Sequence, residues 1–195
     1  LADEPVCAAR YQLRMPLTPR ERVLTCLDHK APDRTPIIIG TSNTTGMKMP
    51  VYQRLKQQLG ISAPDEYIYD WPELGTALLD EATLERLRGD ARGVLDRFPA
   101  DTYRRNRARP PHDPFVDDWG TGQKEIEPGV WFPGVHPMAD AQTIDDIEDY
   151  PWPDMDDPSR VAHVRAEAQK LRDANRYASI GTPWLLFPFE RAHAM

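Results

Sequence analysis

The sequence predicts an α/β protein with a parallel sheet. Residues 18–40 encode a helix, a turn and a short apolar strand in direct succession, and similar helix and strand segments recur later in the chain. Within the first unit, Ile37, Ile38 and Ile39 form the unbroken apolar run that is typical of a strand buried on both faces. Small polar residues follow at 41–46, where parallel α/β proteins bind their ligands.

The first helix is defined by its start signal. Thr18 is a suitable cap, Pro19 fits the first helical position, and Glu21 is placed to complete a capping box. Pro32 should lie beyond the end of this helix. The residues expected to form its buried stripe are Val23, Leu24 and Leu27.

The second helix is predicted over residues 50–59, with Gly60 as its terminator. Its apolar residues recur every four positions, which predicts one buried face. These residues are Val51, Leu55 and Leu59.

Further helices and strands alternate in the rest of the chain. A helix capped by Asp80 precedes a strand over 90–95, and a helix over 157–175 precedes a strand over 177–181. A short capped helix is predicted over 143–148. The buried stripe expected in the long helix consists of Val161, Val164, Ala168 and Leu171.

Residues 115–135 interrupt this pattern with a period close to two. Pro128 and Gly129 lie between two short runs, which predicts a twisted antiparallel hairpin that turns at this dipeptide. The sequence therefore predicts an antiparallel insertion within a parallel fold.

The composition excludes several classes of protein. The chain has 195 residues, 28% of them charged, and a net charge of −7, which gives no support for a nucleic-acid partner. Two cysteines do not make a disulfide framework. No apolar run approaches the ~20 residues of a membrane span, so we expect a cytoplasmic protein without a membrane partner. Residues 1–14 precede the capped helix and are expected to be an extension outside the fold.

Two charged segments allow more than one interpretation. The five arginines within 97–112 could contact phosphate or RNA, but a solvated connector is favoured because no nucleic-acid motif accompanies them. Asp117 and Asp118 could form an acid/base pair, although exposed turn carboxylates are favoured. His136, at the edge of the hairpin, is expected to make a structural hydrogen bond.

The strongest binding candidates follow the predicted strands. The turn after the first strand supplies hydroxyl and amide groups, which could bind a small polar substrate or could satisfy their own backbone. The turn after the strand at 177–181 occupies the equivalent position, so the two turns could share a pocket. The candidates in these turns are Thr41, Ser42, Asn43, Thr45, Thr182 and Trp184.

A set of ordered motifs resembles the uroporphyrinogen decarboxylase-like (URO-D-like) superfamily, and in particular its methyltransferase-type branch. The set opens with residues 18–24 and 32–37. Two further substrate-binding candidates, Arg92 and Trp119, lie within the later motifs. These motifs are Asp90-Ala91-Arg92-Gly93-Val94, Asp118-Trp119-Gly120, His136-Pro137-Met138-Ala139-Asp140, Asp149-Tyr150-Pro151-Trp152-Pro153-Asp154 and Phe189-Glu190-Arg191-Ala192.

This resemblance implies a fold and an activity. The expected fold is a partial (β/α)8 TIM barrel, in which residues 15–195 form the amino-terminal half with the hairpin as an insertion. True decarboxylases of the superfamily hold substrate carboxylates with arginines after the first strand, whereas residues 41–46 contain none. Their Phe-Ser-Asp-Ile-Leu segment is also not recognisable at 84–94. The resemblance therefore favours a corrinoid-dependent methyltransferase over a uroporphyrinogen decarboxylase.

The same resemblance implies which groups the chain lacks. In many methyltransferases of this branch zinc is held near the carboxyl end, so the expected ligands lie beyond Met195 and this chain alone should bind no cofactor. A corrinoid protein and the missing carboxyl-terminal half of the barrel would be its partners. A non-catalytic, shortened relic or binding module is the alternative of another class.

Overall fold

A computed structural model describes residues 16–110, 112–128, 130–182 and 188–195. The predicted extension at 1–14 and the candidate Trp184 lie outside these ranges. The described helices are α1 Pro19–Leu27, α2 Met49–Leu59, α3 Glu81–Arg86, α4 Ala100–Arg107, α5 Ile144–Glu148, α6 Val164–Ala174 and α7 Pro188–Ala194. The described strands are β1 Ala91–Leu95, β2 Phe115–Val116, β3 Gly122–Glu127, β4 Val130–Val135 and β5 Ala178–Thr182.

The architecture is mixed α/β with two small sheets. β1 and β5 pair in parallel, from Ala91 opposite Ala178 to Leu95 opposite Thr182, and helices α1 and α6 pack on this pair. Strands β2, β3 and β4 form an antiparallel sheet, which confirms the predicted hairpin. No closed barrel occurs among the described residues.

The start of α1 is as predicted, but its buried face is not. Glu21 N donates to Thr18 Oγ1 at 3.2 Å and Thr18 N donates to Glu21 Oε2 at 2.9 Å, so the capping box forms. The predicted apolar stripe is wrong, since Leu24 is 43% exposed and Leu27 is 69% exposed. Arg22 is buried instead, because its guanidinium pairs with Asp33 and Asp90.

The pair of Arg22 and Asp33 predicts a dependence of stability on pH. The hydrogen bond from Arg22 lowers the pKa of Asp33 from 3.8 to about 2. A lowered pKa stabilises the fold above the unfolded value, and this contribution is lost as the pH falls from 3.8 through about 2. We therefore expect the difference in unfolding free energy between the wild type and Asp33→Asn to shrink over this range. Denaturant titrations of both proteins at several pH values measure it, and a constant difference would contradict the prediction.

The strand predicted at 36–40 is wrong, because this segment lies beside β1 without forming a ladder. Asp90 N donates to Ile37 O at 2.8 Å, but Ile37 N donates to the carboxylate of Asp90 rather than to a strand backbone. A Cβ on Gly93 would lie 2.3 Å from Thr41 O, so the end of this segment is in close contact with the middle of β1. Ile37 and Ile38 remain more than a third exposed in this edge position.

Helix α2 forms where it was predicted and ends at Gly60, which has a φ of +66°. Its predicted stripe is wrong at Val51, which is exposed, whereas Tyr52 and Lys56 are buried. Lys56 Nζ donates to Ala63 O and to the carboxylate of Asp65, both at 2.6 Å. A lysine is therefore buried here because the loop after the helix supplies its acceptors.

Most of the remaining elements follow the predictions. Helix α3 with its Asp80 cap, strands β1 and β5, and helix α5 with its capping box all form. The long helix begins at Val164 rather than near Asp157, after a 3₁₀ turn at Pro158–Arg160, and Val161 is exposed. The other three stripe residues, Val164, Ala168 and Leu171, are half-buried.

The predicted connector at 97–112 instead contains helix α4. This helix is fixed by Asn106, whose side chain donates to Thr102 O at 2.8 Å and to Val116 O at 2.7 Å. Val116 N donates back to Asn106 Oδ1 at 2.9 Å. A single buried amide thus ties the arginine-rich helix to β2.

Two apolar clusters form the described core. The first contains aliphatic and aromatic residues from the segment of 3₁₀ turns at 68–74, from the loop after β1 and from β2, and its members are Ile68, Tyr69, Trp71, Leu74, Phe98 and Phe115. The second joins α2 to α3 through Met49, Tyr52, Ala77, Leu79 and Leu84. Within the described ranges, no helix has both the length and the apolar character needed to cross a membrane.

Candidate functional site

A cavity of about 1210 Å³ opens at the carboxyl end of β1. Gly93 and Leu95 face it from the strand, since residues two positions apart lie on one face. Asp96 follows directly, and His163 and Glu167 line the cavity from the start of α6. The carboxyl end of a parallel strand is the usual position of an α/β ligand site, so this cavity is the leading candidate.

Aromatic residues form one wall of this cavity. The rings of Tyr69 and Phe98 are tilted with centroids 6.1 Å apart, and those of Phe98 and Tyr103 meet edge to face with centroids 5.9 Å apart. Because Phe98 belongs to the first core cluster, this wall is anchored in the interior. One side of the cavity is therefore aromatic and continuous with the core.

The backbone at this wall is strained. Tyr69 has a φ of +57° and Asp70 a φ of +51°, values that residues other than glycine rarely adopt. Both residues line the cavity. Such strain costs on the order of 1–3 kcal/mol per residue and tends to occur at functional sites.

Carboxylates impose a negative potential on the aromatic wall. Burial raises the pKa of Tyr69, and the charge of Asp96 raises it further. The pKa of Tyr103 is also raised, first by burial and then by Asp70 and Asp96. Burial is thus the largest cause of both shifts, and the charge of Arg97 opposes those of Asp70 and Asp96 at Tyr103.

Ion pairs and one histidine define the rest of the cavity. Arg97 pairs with Glu167 at 3.5 Å, and Arg107 pairs with Asp70. The ring of His163 is oriented by Leu95, since Nε2 lies 2.7 Å from Leu95 O. The guanidinium groups of this cavity thus already have carboxylate partners in the protein.

The predicted binding turn at 41–45 largely satisfies itself. Thr45 Oγ1 accepts from Thr41 N at 3.1 Å and from Ser42 N at 3.0 Å. Asn43 Oδ1 accepts from Thr76 Oγ1 at 2.6 Å. The alternative left open by the sequence, a turn whose side chains bond its own backbone, accounts for most of these groups.

The two predicted turns do meet at the edge of the sheet. Thr182 Oγ1 donates to Thr41 O at 2.7 Å, across the end of β1. The hydroxyl of Tyr69 lies 3.4 Å from Thr182 O, which links this edge to the aromatic wall of the cavity. Thr41 and Thr182 are thus neighbours of the cavity rather than part of its lining.

The structure separates Arg92 and Trp119 from the cavity. Arg92 lies on the face of β1 opposite to Gly93 and Leu95. There it pairs with Glu81 at 2.6 Å, and its guanidinium lies 3.5 Å from the ring centroid of Tyr177. Trp119 packs against Trp152, with centroids 6.0 Å apart, and under the guanidinium of Arg191. Neither residue lines the cavity.

The interpretation of Asp117 and Asp118 as exposed turn carboxylates is wrong. Asp117 is 3% exposed, and it accepts from Thr121 Oγ1 at 2.8 Å and from Arg191 Nη1 at 2.9 Å. Asp118 pairs with Arg160. These contacts join the hairpin to α7 and to the loop before α6, so both carboxylates have structural partners.

His136 lies beside the carboxyl end of α7. His136 Nδ1 lies 2.9 Å from Ala194 O, which is the structural hydrogen bond expected of this histidine. In the part of the chain that the structure describes, no group of three or more His, Cys, Asp or Glu side chains could hold a metal ion.

Comparison of this chain with protein-family models, with curated proteins and with solved structures finds no significant match. The resemblance to URO-D-like proteins therefore stays an expectation from the motifs. Four cavity residues were not predicted from the sequence, namely Tyr69, Asp96, Tyr103 and His163. Asp96 could have been found, because it follows a correctly predicted strand just as residues 41–45 follow the first apolar run.

Proposed function

We propose that this chain forms the amino-terminal part of a URO-D-like enzyme domain and that its cavity takes a small substrate. The observation that carries the proposal is the cavity at the carboxyl end of β1, beside the edge where Thr41 and Thr182 meet. The parallel pairing of β1 with β5, with α6 between them in the chain, is what two units of a (β/α)8 barrel would supply.

Methyl transfer fits the charges of this cavity better than porphyrinogen decarboxylation does. A porphyrinogen carries several carboxylates, and a site for it needs guanidinium groups that are available to the substrate. The turn at 41–46 has no arginine, and Arg97 and Arg107 pair with carboxylates of the protein. We therefore propose a corrinoid-dependent methyltransferase that acts in the cytoplasm with a corrinoid protein, and with zinc held by its carboxyl-terminal half.

The test is an activity comparison on the intact gene product. We expect transfer of the methyl group of methylcobalamin to a thiol in the presence of Zn²⁺, and no decarboxylation of uroporphyrinogen. Efficient decarboxylation would contradict the proposed branch. Binding of small molecules without any turnover would instead assign the chain to the non-catalytic alternative.

A further inference from the structure

We infer that His163 takes the proton of the thiol that binds in the cavity at the carboxyl end of β1. This inference rests on the proposed function, because it takes the proposed thiol substrate and names the residue that ionises it. Three features of His163 support it, namely its position in the cavity, its fixed tautomer and the ring nitrogen that this tautomer leaves without a hydrogen.

The ring of His163 is held at the end of β1. His163 is half-buried, lies immediately before α6 and lines the cavity. Its Nε2 lies 2.7 Å from the carbonyl oxygen of Leu95, the last residue of β1, and Leu95 lies opposite Thr182 of β5. The turn before α6 is held at the same place, because Arg97 N donates to Arg160 O at 3.1 Å. The ring therefore has a defined position where the proposed substrate binds.

The contact with Leu95 fixes the tautomer of the ring. A carbonyl oxygen only accepts hydrogen bonds, so Nε2 carries the hydrogen and donates it. In the neutral ring the lone pair then lies on Nδ1. The side chain of His163 makes no capping hydrogen bond to α6, and no donor from the described residues reaches Nδ1. Nδ1 is therefore the acceptor that this ring offers to a ligand.

The charges of the cavity explain why a proton acceptor is needed there. A thiol reacts as a nucleophile in its thiolate form. The ionisable side chains of the described lining include five carboxylates and three guanidinium groups, so a thiolate alone would meet an excess of its own charge. The partners outside the lining, Lys56 of Asp65 and Asp101 of Arg104, add one charge of each sign and leave this excess unchanged.

Proton transfer to His163 avoids this repulsion. The S–H bond of the ligand breaks, its electron pair stays on sulfur, and the proton forms a new N–H bond at Nδ1. The net charge of the cavity does not change, and Nε2 still donates to Leu95 O. Imidazole takes and returns protons near neutral pH, and an adjacent imidazolium is an established way of stabilising a thiolate in proteins.

The test compares two ligands that differ at the sulfur atom. In 2-(methylthio)ethanol a methyl group replaces the thiol hydrogen of 2-mercaptoethanol. We expect NMR titration of the intact protein, at a pH at which the free His163 ring is neutral, to give about 10-fold tighter binding of the thiol, because a charge-assisted contact forms with the thiol alone. The thiol should also convert His163 to the imidazolium and raise the ultraviolet absorbance of the thiolate. EDTA is present throughout, so that no metal ion ionises the thiol.

Variants assign the effect to His163. His163→Gln keeps an amide that can donate to Leu95 O but has no group that takes the proton, so it should bind the thiol about 10-fold more weakly than the wild type and form no thiolate. His163→Asn is a second variant for the case in which His163→Gln fails to fold. The matched control is His193→Gln on α7, an exposed histidine outside the cavity, which should behave like the wild type. Circular dichroism checks the fold of each variant.

The outcomes separate the inference from the proposed function. Equal binding of the thiol and the thioether, thiol binding that leaves His163 neutral, or no binding of either ligand would overturn the inference. Thiolate formation that both His163 variants retain would also overturn it. The methyl-transfer assay decides the proposed function independently. If that assay fails while the bound thiol is ionised by His163, the proposed function is wrong and the assignment of His163 stands.

Discussion

Replacement of Asp90 by asparagine is expected to lower the free energy of unfolding by about 3–5 kcal/mol, because it breaks a buried ion pair from one side. Asp90 is fully buried and accepts from Arg22 Nη1 at 2.5 Å, from Arg34 Nη1 at 2.7 Å and from Ile37 N at 2.7 Å. Asparagine keeps the shape but not the charge, so two guanidinium groups lose their shared anion. Urea denaturation followed by circular dichroism measures the effect.

The matched control is Asp28→Asn, which removes an exposed carboxylate from the end of the same unit. Asp28 lies 3.5 Å from Lys30, and both side chains are more than two-thirds exposed. Such a pair is worth on the order of 0–1 kcal/mol, so this variant should be nearly neutral. If the two variants destabilise the protein equally, Asp90 does not hold the fold together in the way proposed.

The Asp90 cluster explains why the sequence predicted the helices better than their buried faces. The cap of α1 depends on Thr18 and Glu21, which are three residues apart, and such local signals can be read directly. The burial of Arg22 depends on Asp90, which is 68 residues away in the chain. Apolar periodicity gives no indication of such a partner, so the stripe predicted for α1 was wrong.

The apolar run at 37–39 was also mispredicted, because its structure depends on a residue that is distant in the sequence. Ile37 to Ile39 have the composition of a buried strand, but a strand also needs backbone partners. The carboxylate of Asp90 takes the donor of Ile37, and the isoleucines lie at an edge of the described sheet. β1 and β5, by contrast, were predicted correctly, and each has the other as its partner.

For the candidate site, the sequence indicated the edge of the sheet that borders the cavity, but none of the described candidates lines the cavity. The rule that ligands bind after parallel strands identified Thr41 and Thr182, which do meet. The cavity itself lies between the end of β1, 3₁₀ turns, α4 and the start of α6, and the proximity of these elements depends on the tertiary fold. Among these cavity residues, Asp96 is the one that the same rule could have predicted, because it directly follows β1.

The second large effect is expected for Phe115→Ala, which should lower the free energy of unfolding by about 3–5 kcal/mol through the loss of apolar contacts and the cavity left behind. Phe115 is 2% exposed, is stacked on Trp71 with centroids 4.1 Å apart, and lies 5.8 Å from Phe98. Guanidinium chloride denaturation followed by circular dichroism measures the change.

The same substitution at Phe132 is its control, and the pair also tests the link between the core and the candidate site. Phe132 lies on β4 and is 61% exposed, so Phe132→Ala should cost less than about 1 kcal/mol. Because Phe98 contacts both Phe115 and Tyr103, Phe115→Ala should also loosen the aromatic wall and weaken ligand binding there, whereas Phe132→Ala should not. Equal destabilisation by both variants would show that the cluster around Trp71 is not the core of this part of the protein.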